Sequence, residues 1–232
     1  MPVNNILIWG AGSQSLVLKT MIERGLVYFD RKYEENNKIS FLVDPFLDEP
    51  TYKTDIPFLN KKNAFKVALK QVNSFVVAIA GSSGMARVLI SKELIKLGLK
   101  PLSVISSNSI IDKKTTLGKG IQVMPNTVIN CYTRISNFSI INTSASIDHE
   151  CSVGEGVHVM GGVSIAGRVK IKKYATIGTN ATIIPDIEVA SGSYVGAGAV
   201  VVKNIKKNQI VIGNPAKFLK DNIHNCSLDF FK

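Results

Sequence analysis

The 232-residue chain has little of what staples, ligates or spans: three Cys, three His, one Trp, and aromatic residues at only 7%. Three cysteines cannot frame a disulfide-rich miniprotein, and without a visible export signal they are expected to stay thiols in a reducing, cytoplasmic setting. The apolar core of a signal peptide is missing, since Ile6–Trp9 is far too short for one. Charge, Gly or Asn interrupts every apolar stretch, so none approaches the roughly 20 residues of a membrane-spanning helix, and no membrane partner is expected. Acidic residues are scarce as well. Seventeen Asp and Glu against 28 Lys and Arg leave a net charge of +11.

The distribution of that surplus decides its meaning. The basic residues are scattered in twos and threes, as in Lys61–Lys62, Lys113–Lys114, Lys170–Lys172–Lys173, Lys203–Lys206–Lys207 and Lys217–Lys220. No block of five or six forms, and no zinc-finger, RNP or basic-zipper pattern accompanies them. A solvated surface is therefore expected, with no nucleic-acid partner; two or three converging charges would still serve a small polyphosphate ligand. With 45% apolar residues the chain can build the cores of one or two domains.

A six-residue register runs through the second half. Stepping by six from Ile105 through Val123, Ile147 and Ile177 to Val201 meets Ile, Leu or Val at all seventeen positions. The residue four places after each anchor is mostly small or β-branched, as in Thr115, Thr133, Ala145, Cys151, Val163 and Ala181. Six residues are too few for a strand and a helix but suffice for a short strand and a tight bend with two inward side chains. Three units close a triangular coil, and stacked coils make a parallel prism with an aliphatic interior.

The first hundred residues read differently. Asn5–Trp9 is a buried strand leading into Gly10-Ala11-Gly12-Ser13-Gln14-Ser15 and a helical pattern over Leu16–Arg24. Strand, Gly-rich turn and helix N-terminus together suit an anion. Ser15 replaces the third Gly of a dinucleotide fingerprint, which argues against a full NAD site. A second strand, Ile39–Val43, ends at Asp44; a helix is expected over Lys61–Lys70. A third strand, Ser74–Ala80, runs into Gly81-Ser82-Ser83-Gly84, and a helix over Met85–Leu97 closes at Gly98. Three strands with their helices make half a dinucleotide fold, enough for a mononucleotide.

Two of the three His lie in the repeat. His149 stands in Asp148-His149-Glu150-Cys151, and His158 precedes anchor Val159, so neither takes an inward slot. A carboxylate bonded to one ring nitrogen fixes the tautomer and raises the basicity of the other, which suits a general base. A zinc site would want three ligands, and the third His, His224, lies beyond the repeat. No metal is expected.

The motif written Ile111-Asp112-Lys113-Lys114-Thr115 and Ile177-Gly178-Thr179-Asn180-Ala181 resembles that of the hexapeptide-repeat acyltransferases. With the Gly10-Ala11-Gly12 turn, Asn142–Glu150 and Gly213-Asn214-Pro215-Ala216-Lys217, the chain is similar to bacterial nucleotide-sugar N-acetyltransferases acting on UDP-4-amino sugars, with sialic-acid O-acetyltransferases as relatives. The resemblance implies a Rossmann-like α/β half-domain with a three-stranded parallel sheet (1–103), a left-handed β-helix (104–203) and a CoA-proximal tail (204–232). It further implies acetyl-CoA as co-substrate, a nucleotide-linked amino sugar as acceptor, and a homotrimer. In it His149 is the base and Glu150 supports its basicity. His158 and the Gly167 N–H meet the thioester region, Thr179 and Ala197 line the pantetheine groove, and Lys217 lies near a CoA phosphate. Gly12, Ser13, Gln14, Asp44 and Gly81 fall on the nucleotide-sugar contacts. The family turn often has His where Gln14 stands and a second Asp where Pro45 stands, and Val27–Lys38 is longer than a minimal turn. A hydroxyl acceptor, as in O-acetylation of a free sugar, and a non-catalytic scaffold remain open alternatives.

Overall fold

The computed structural model describes residues 4–29, 37–223 and 226–231. Strand β1 (Asn4–Trp9), helix α1 (Ser13–Glu23) and a short strand β2 (Val27–Phe29) open the chain. They are followed by β3 (Asn37–Val43), β4 (Phe58–Leu59), α2 (Lys62–Ala68), β5 (Ser74–Val77), α3 (Gly84–Lys96) and β6 (Lys100–Pro101). Most of the long Val27–Lys38 connection, 30–36, and His224 lie outside the described residues.

Five of these strands form an all-parallel sheet in the order β4-β3-β1-β5-β6. The central three are the apolar runs of the sequence. Two-residue β4 and β6 widen the expected three-stranded sheet to five, and both are too short to show a periodic signal. Helix α1 begins at Ser13, before its apolar pattern, because Gln14 and Ser15 are buried. After α3, Gly98 takes φ +89° and donates its N–H to the Ile95 carbonyl, the expected glycine stop.

Alternation along β1 divides the packing. Ile6 and Ile8 meet Leu18 and Met21 of α1 together with Val104 and Met124 from the repeat; Leu7 and Trp9 meet Phe65 of α2 and Ile90 and Leu94 of α3. The C-terminal residues return to this second face. Phe231 stacks on Trp9 at 4.8 Å, and Phe230 meets Trp9 edge-on at 5.4 Å.

From Val104 onward the chain winds as short strands, mostly of two residues, in which the second residue of each pair is an anchor of the six-residue register and points inward. Anchors 18 residues apart pair in parallel, as Ile129 does with Ile147 and Ile147 with Ile165, so three strands make one coil. The corners explain the period. From Gly120 to Gly198 every sixth residue has positive φ, among them Ser144, Glu150 and Arg168. A left-handed residue at each bend turns the chain sharply enough for one strand to feed the next face.

Interior hydroxyls answer carbonyls of the next coil: Thr133 Oγ1 donates to Asp148 O at 2.7 Å and Ser139 Oγ to Gly154 O at 2.9 Å. Cys151 fills the equivalent slot, with Sγ 3.2 Å from Ala166 O, and burial raises its pKa, so it packs the core as a thiol. The stacked parallel sheets with few helices fit a left-handed β-helix.

The three outer faces differ in chemistry. The face bearing Gln122, Ile140, His158 and Thr176 is buried beneath the N-terminal unit. It is extended at one end by antiparallel β2 and at the other by the hairpin Gln209–Ile212 and Lys217–Asp221. The second face presents Ile110, Val128, Ser146, Ser164, Thr182 and Val200, all uncharged; the third presents Arg134, Lys170 and Glu188. Among the described residues no helix is long and apolar enough to cross a membrane.

Candidate functional site

His149 stands at a corner of the prism, two residues after anchor Ile147. Glu150 next to it has φ 59°, and its Oε2 lies 2.9 Å from His149 Nδ1. Asp148, the other flanking carboxylate, does not reach the ring. Its Oδ1 accepts the His149 backbone N–H at 2.8 Å and the Asn130 Nδ2 donor at 2.9 Å, and these bonds lower its pKa. One carboxylate thus orients the imidazole and the other fixes the backbone beneath it. With Nδ1–H given to Glu150, Nε2 carries the lone pair.

Gly167 lies 18 residues on, at the same corner of the next coil. A Cβ built there would come within 2.7 Å of both Cε1 and Nε2 of His149, so the ring rests on bare backbone. The Gly167 N–H makes no hydrogen bond among the described residues. Gly167→Ala is expected to leave stability within about 1 kcal/mol of the parent, because the half-exposed ring can swing away. The displaced base should lower kcat at least about 10-fold. Thermal melts and steady-state kinetics check both parts.

His158 is 2% exposed, covered by the N-terminal unit rather than by solvent. Its Nδ1 lies 3.1 Å from Gly81 O, and its Nε2 lies 3.5 Å from Asn142 Nδ2. Burial and, secondarily, the positive charge of Arg87 press its pKa down to about 4, so it is a neutral imidazole. Two residues singled out for different ligands, Gly81 and His158, are therefore bonded to each other.

In the N-terminal turn Gly10 has φ +104°, and a Cβ there would meet Ala78 O at 2.8 Å, so glycine is required. Asp44 accepts the Ala11 N–H at 3.1 Å with Oδ2 and the Phe46 N–H at 3.0 Å with Oδ1, holding turn and loop together. Gly12 caps α1 without a side chain, and Ser13 is exposed beside it. Gln14 is turned inward. Its Nε2 donates to Gln122 Oε1 at 2.8 Å, and Gln122 Nε2 donates to Val77 O at 2.8 Å, a chain that ties the turn to the prism.

Thr179 and Ala197 are exposed on another edge of the prism, above Thr143 and Gly161 in one column: Gly198 N–H bonds Thr179 O, and Asn180 N–H bonds Gly161 O. The Gly213–Lys217 segment folds over the top of this region, with Ala216 N–H on Val200 O at 2.8 Å; Lys217 is exposed. The residues singled out in the sequence thus fall into two groups. Gly12, Ser13, Gln14, Asp44, Gly81 and His158, with Thr179, Ala197 and Lys217, lie in the N-terminal unit, on the covered face or at the edge where that face ends, and the Gln14–Gln122 and His158–Gly81 contacts cross between unit and face. His149, Glu150 and Gly167 occupy the next edge, across the uncharged face. Two clefts of about 760 and 730 Å³ lie elsewhere and include neither group. Among the described residues no three His, Cys, Asp or Glu come together as metal ligands.

Arg87, which contacts this region, had no motif to mark it, whereas Asn142 opens the Asn142–Glu150 run. The one signal for Arg87 is its place in the buried stripe Gly84, Val88, Ser91 and Leu94 of α3, where a charge is out of pattern.

No protein-family model matches the sequence, and no curated protein does. Solved structures do. PerB from Caulobacter crescentus, in complex with CoA and GDP-perosamine, is 25% identical with a TM-score of 0.81, over 94% of this chain and 99% of that one. The acetyltransferase domain of PglB from Neisseria gonorrhoeae, in complex with acetyl coenzyme A, is 25% identical with a TM-score of 0.78, over 94% and 100%. WeeI from Acinetobacter baumannii is 25% identical with a TM-score of 0.79 over the same shares. Over more than nine-tenths of its length the chain is therefore similar to structures of bacterial sugar N-acetyltransferases of the hexapeptide class.

Proposed function

We propose that this protein is an acetyl-CoA-dependent N-acetyltransferase acting on the amino group of a nucleotide-linked amino-deoxy sugar. The observation that carries the reading is the His149–Glu150 pair resting on Gly167, on a prism similar to enzymes with CoA and a nucleotide sugar bound. The neutral sugar amine attacks the thioester carbonyl and forms the new C–N bond. His149 Nε2 takes the amine proton, and Glu150 stabilises the resulting imidazolium. The Gly167 N–H supports the oxygen of the tetrahedral intermediate. Breaking the C–S bond releases CoA thiolate, which recovers the proton from His149. No covalent acyl-enzyme is required.

In this reading residues 1–103 are a Rossmann-like unit that binds the nucleotide sugar, 104–203 the acetyltransferase prism and 204–232 the CoA-proximal segment. Gly12, Ser13, Asp44 and Gly81 line the nucleotide-sugar site. Gln14 supports it from below through Gln122. Thr179, Ala197 and Lys217 hold the CoA arm, with His158 behind the thioester.

The active form is a homotrimer. What supports this is the uncharged face Ile110–Val200, flanked by the two separate groups of site residues. If three chains close on that face, the His149 edge of one meets the Thr179 edge of its neighbour. Light scattering should give a trimer. Ser164→Arg, which places a charge on the face, should yield a folded monomer without turnover; a monomeric parent with full activity would overturn the assembly. Release of CoA thiol across a panel of nucleotide-linked amino sugars, with free sialic acid included, tests the reaction. Release with free sialic acid alone would overturn the nucleotide-sugar acceptor.

A further inference from the structure

Arg87 is 1% exposed and, among the described residues, pairs with no carboxylate. Its Nε donates to Phe138 O at 2.6 Å, Nη1 to Ile79 O at 2.6 Å, and Nη2 to Gly156 O at 2.8 Å and Val157 O at 3.3 Å. Burial lowers its pKa to about 9, which still leaves it charged at neutral pH. Removing a guanidinium from water without a counter-ion is costly, and an apolar side chain of similar length would pack the same space at lower cost. The expenditure therefore points to what the four carbonyls position.

Three of those carbonyls, all but that of Phe138, belong to two segments that meet at one hydrogen bond. Ile79 leads into Gly81, whose carbonyl lies 3.1 Å from His158 Nδ1, and Gly156 and Val157 lead into His158 itself. The approach is prepared by two glycines. A Cβ on Gly84 would collide with Gly156 O, and one on Gly156 would come within 2.7 Å of Gly84 O and Val88 Cγ2. The first turn of α3 therefore presses directly on the prism corner, and Arg87 crosses the seam.

We propose that Arg87 is a positioning residue that acts through His158: by clamping Ile79–Gly81 to Gly156–Val157 it keeps the Gly81 carbonyl on Nδ1, so that Nε2 keeps its lone pair and faces Asn142. The catalytic consequence rests on the acetyltransferase reading; the tautomer does not. In long-range nitrogen-15 correlation spectra, His158 of the parent should show a single form protonated at Nδ1. Arg87→Met should give a mixture of the two tautomers, a kcat about 10- to 100-fold lower, and a KM for the nucleotide sugar within about twofold. In a His158→Gln background the same substitution should cost no more than about twofold further, because its route of action is already gone. If Arg87→Met does not fold, Arg87→Lys serves, since one ammonium cannot span four carbonyls; it should show the same mixture. An unchanged His158 spectrum in the variants, or additive losses in the double variant, would overturn the proposal. A changed spectrum in a protein that transfers no acetyl group would overturn the functional reading and leave the positioning role standing.

Discussion

Alanine in place of His149 is expected to lower kcat by about 100- to 10,000-fold, the range for losing a positioned general base. The KM for acetyl-CoA should stay within about threefold, because Thr179 and Ala197 line a different edge of the prism and keep their backbone geometry. Folding should be nearly unaffected, since the ring covers only the Gly167 backbone at a half-exposed corner. Glu150→Gln separates the two members of the pair. The amide can still meet Nδ1 but cannot stabilise an imidazolium, and with the carboxylate 55% exposed the loss should be modest, about 10-fold. Single-turnover thiol release measures the chemical step apart from product release. Near-parental turnover in His149→Ala would remove this residue from the mechanism, and Cys151, buried with a raised pKa, offers no substitute nucleophile.

The prism was legible in the sequence because its rule is local: each coil needs an inward aliphatic residue every six positions and a small one four later, whatever the rest of the molecule does. The α/β unit was legible for a similar reason, in continuous apolar strands punctuated by glycine. What lay beyond reach depends on which prism face is covered. His158 occupies an outward slot, the same register as exposed Ser164 and Lys170. Only the docking of α3 against Gly156 makes it a buried neutral imidazole. Gln14 reads as a ligand for a sugar or phosphate, yet its partner is Gln122, 108 residues away. The flanking of His149 by two acids was visible, but the bend that assigns Glu150 to the ring and Asp148 to the backbone comes from the left-handed conformation of residue 150. Local pattern carried the architecture, whereas long-range seams assigned the polar partners.

Those seams give stability a pH dependence. His158 has an ordinary value of 6.5 and a native value of about 4, a gap equivalent to about 3 kcal/mol. The unfolded chain binds this proton below about pH 6.5 while the folded chain refuses it until about pH 4, so the contribution is complete above 6.5 and lost as pH falls through that window. Urea denaturation between pH 8 and 4, at fixed protein concentration, should show about that decline. His158→Gln should flatten it, because the amide can still donate to Gly81 O and does not titrate. Asp148, whose native pKa is lowered, loses its stabilising share only as pH falls below its ordinary 3.8, so the two effects separate on the pH axis. A decline of the same size in His158→Gln would place its origin elsewhere. Since burial and Arg87 keep His158 neutral from pH 8 to about 5, it cannot supply a limb of the pH–rate profile near neutrality. A limb found there must come from a group outside the seam, which makes the profiles of His149→Ala and Glu150→Gln the means of finding it.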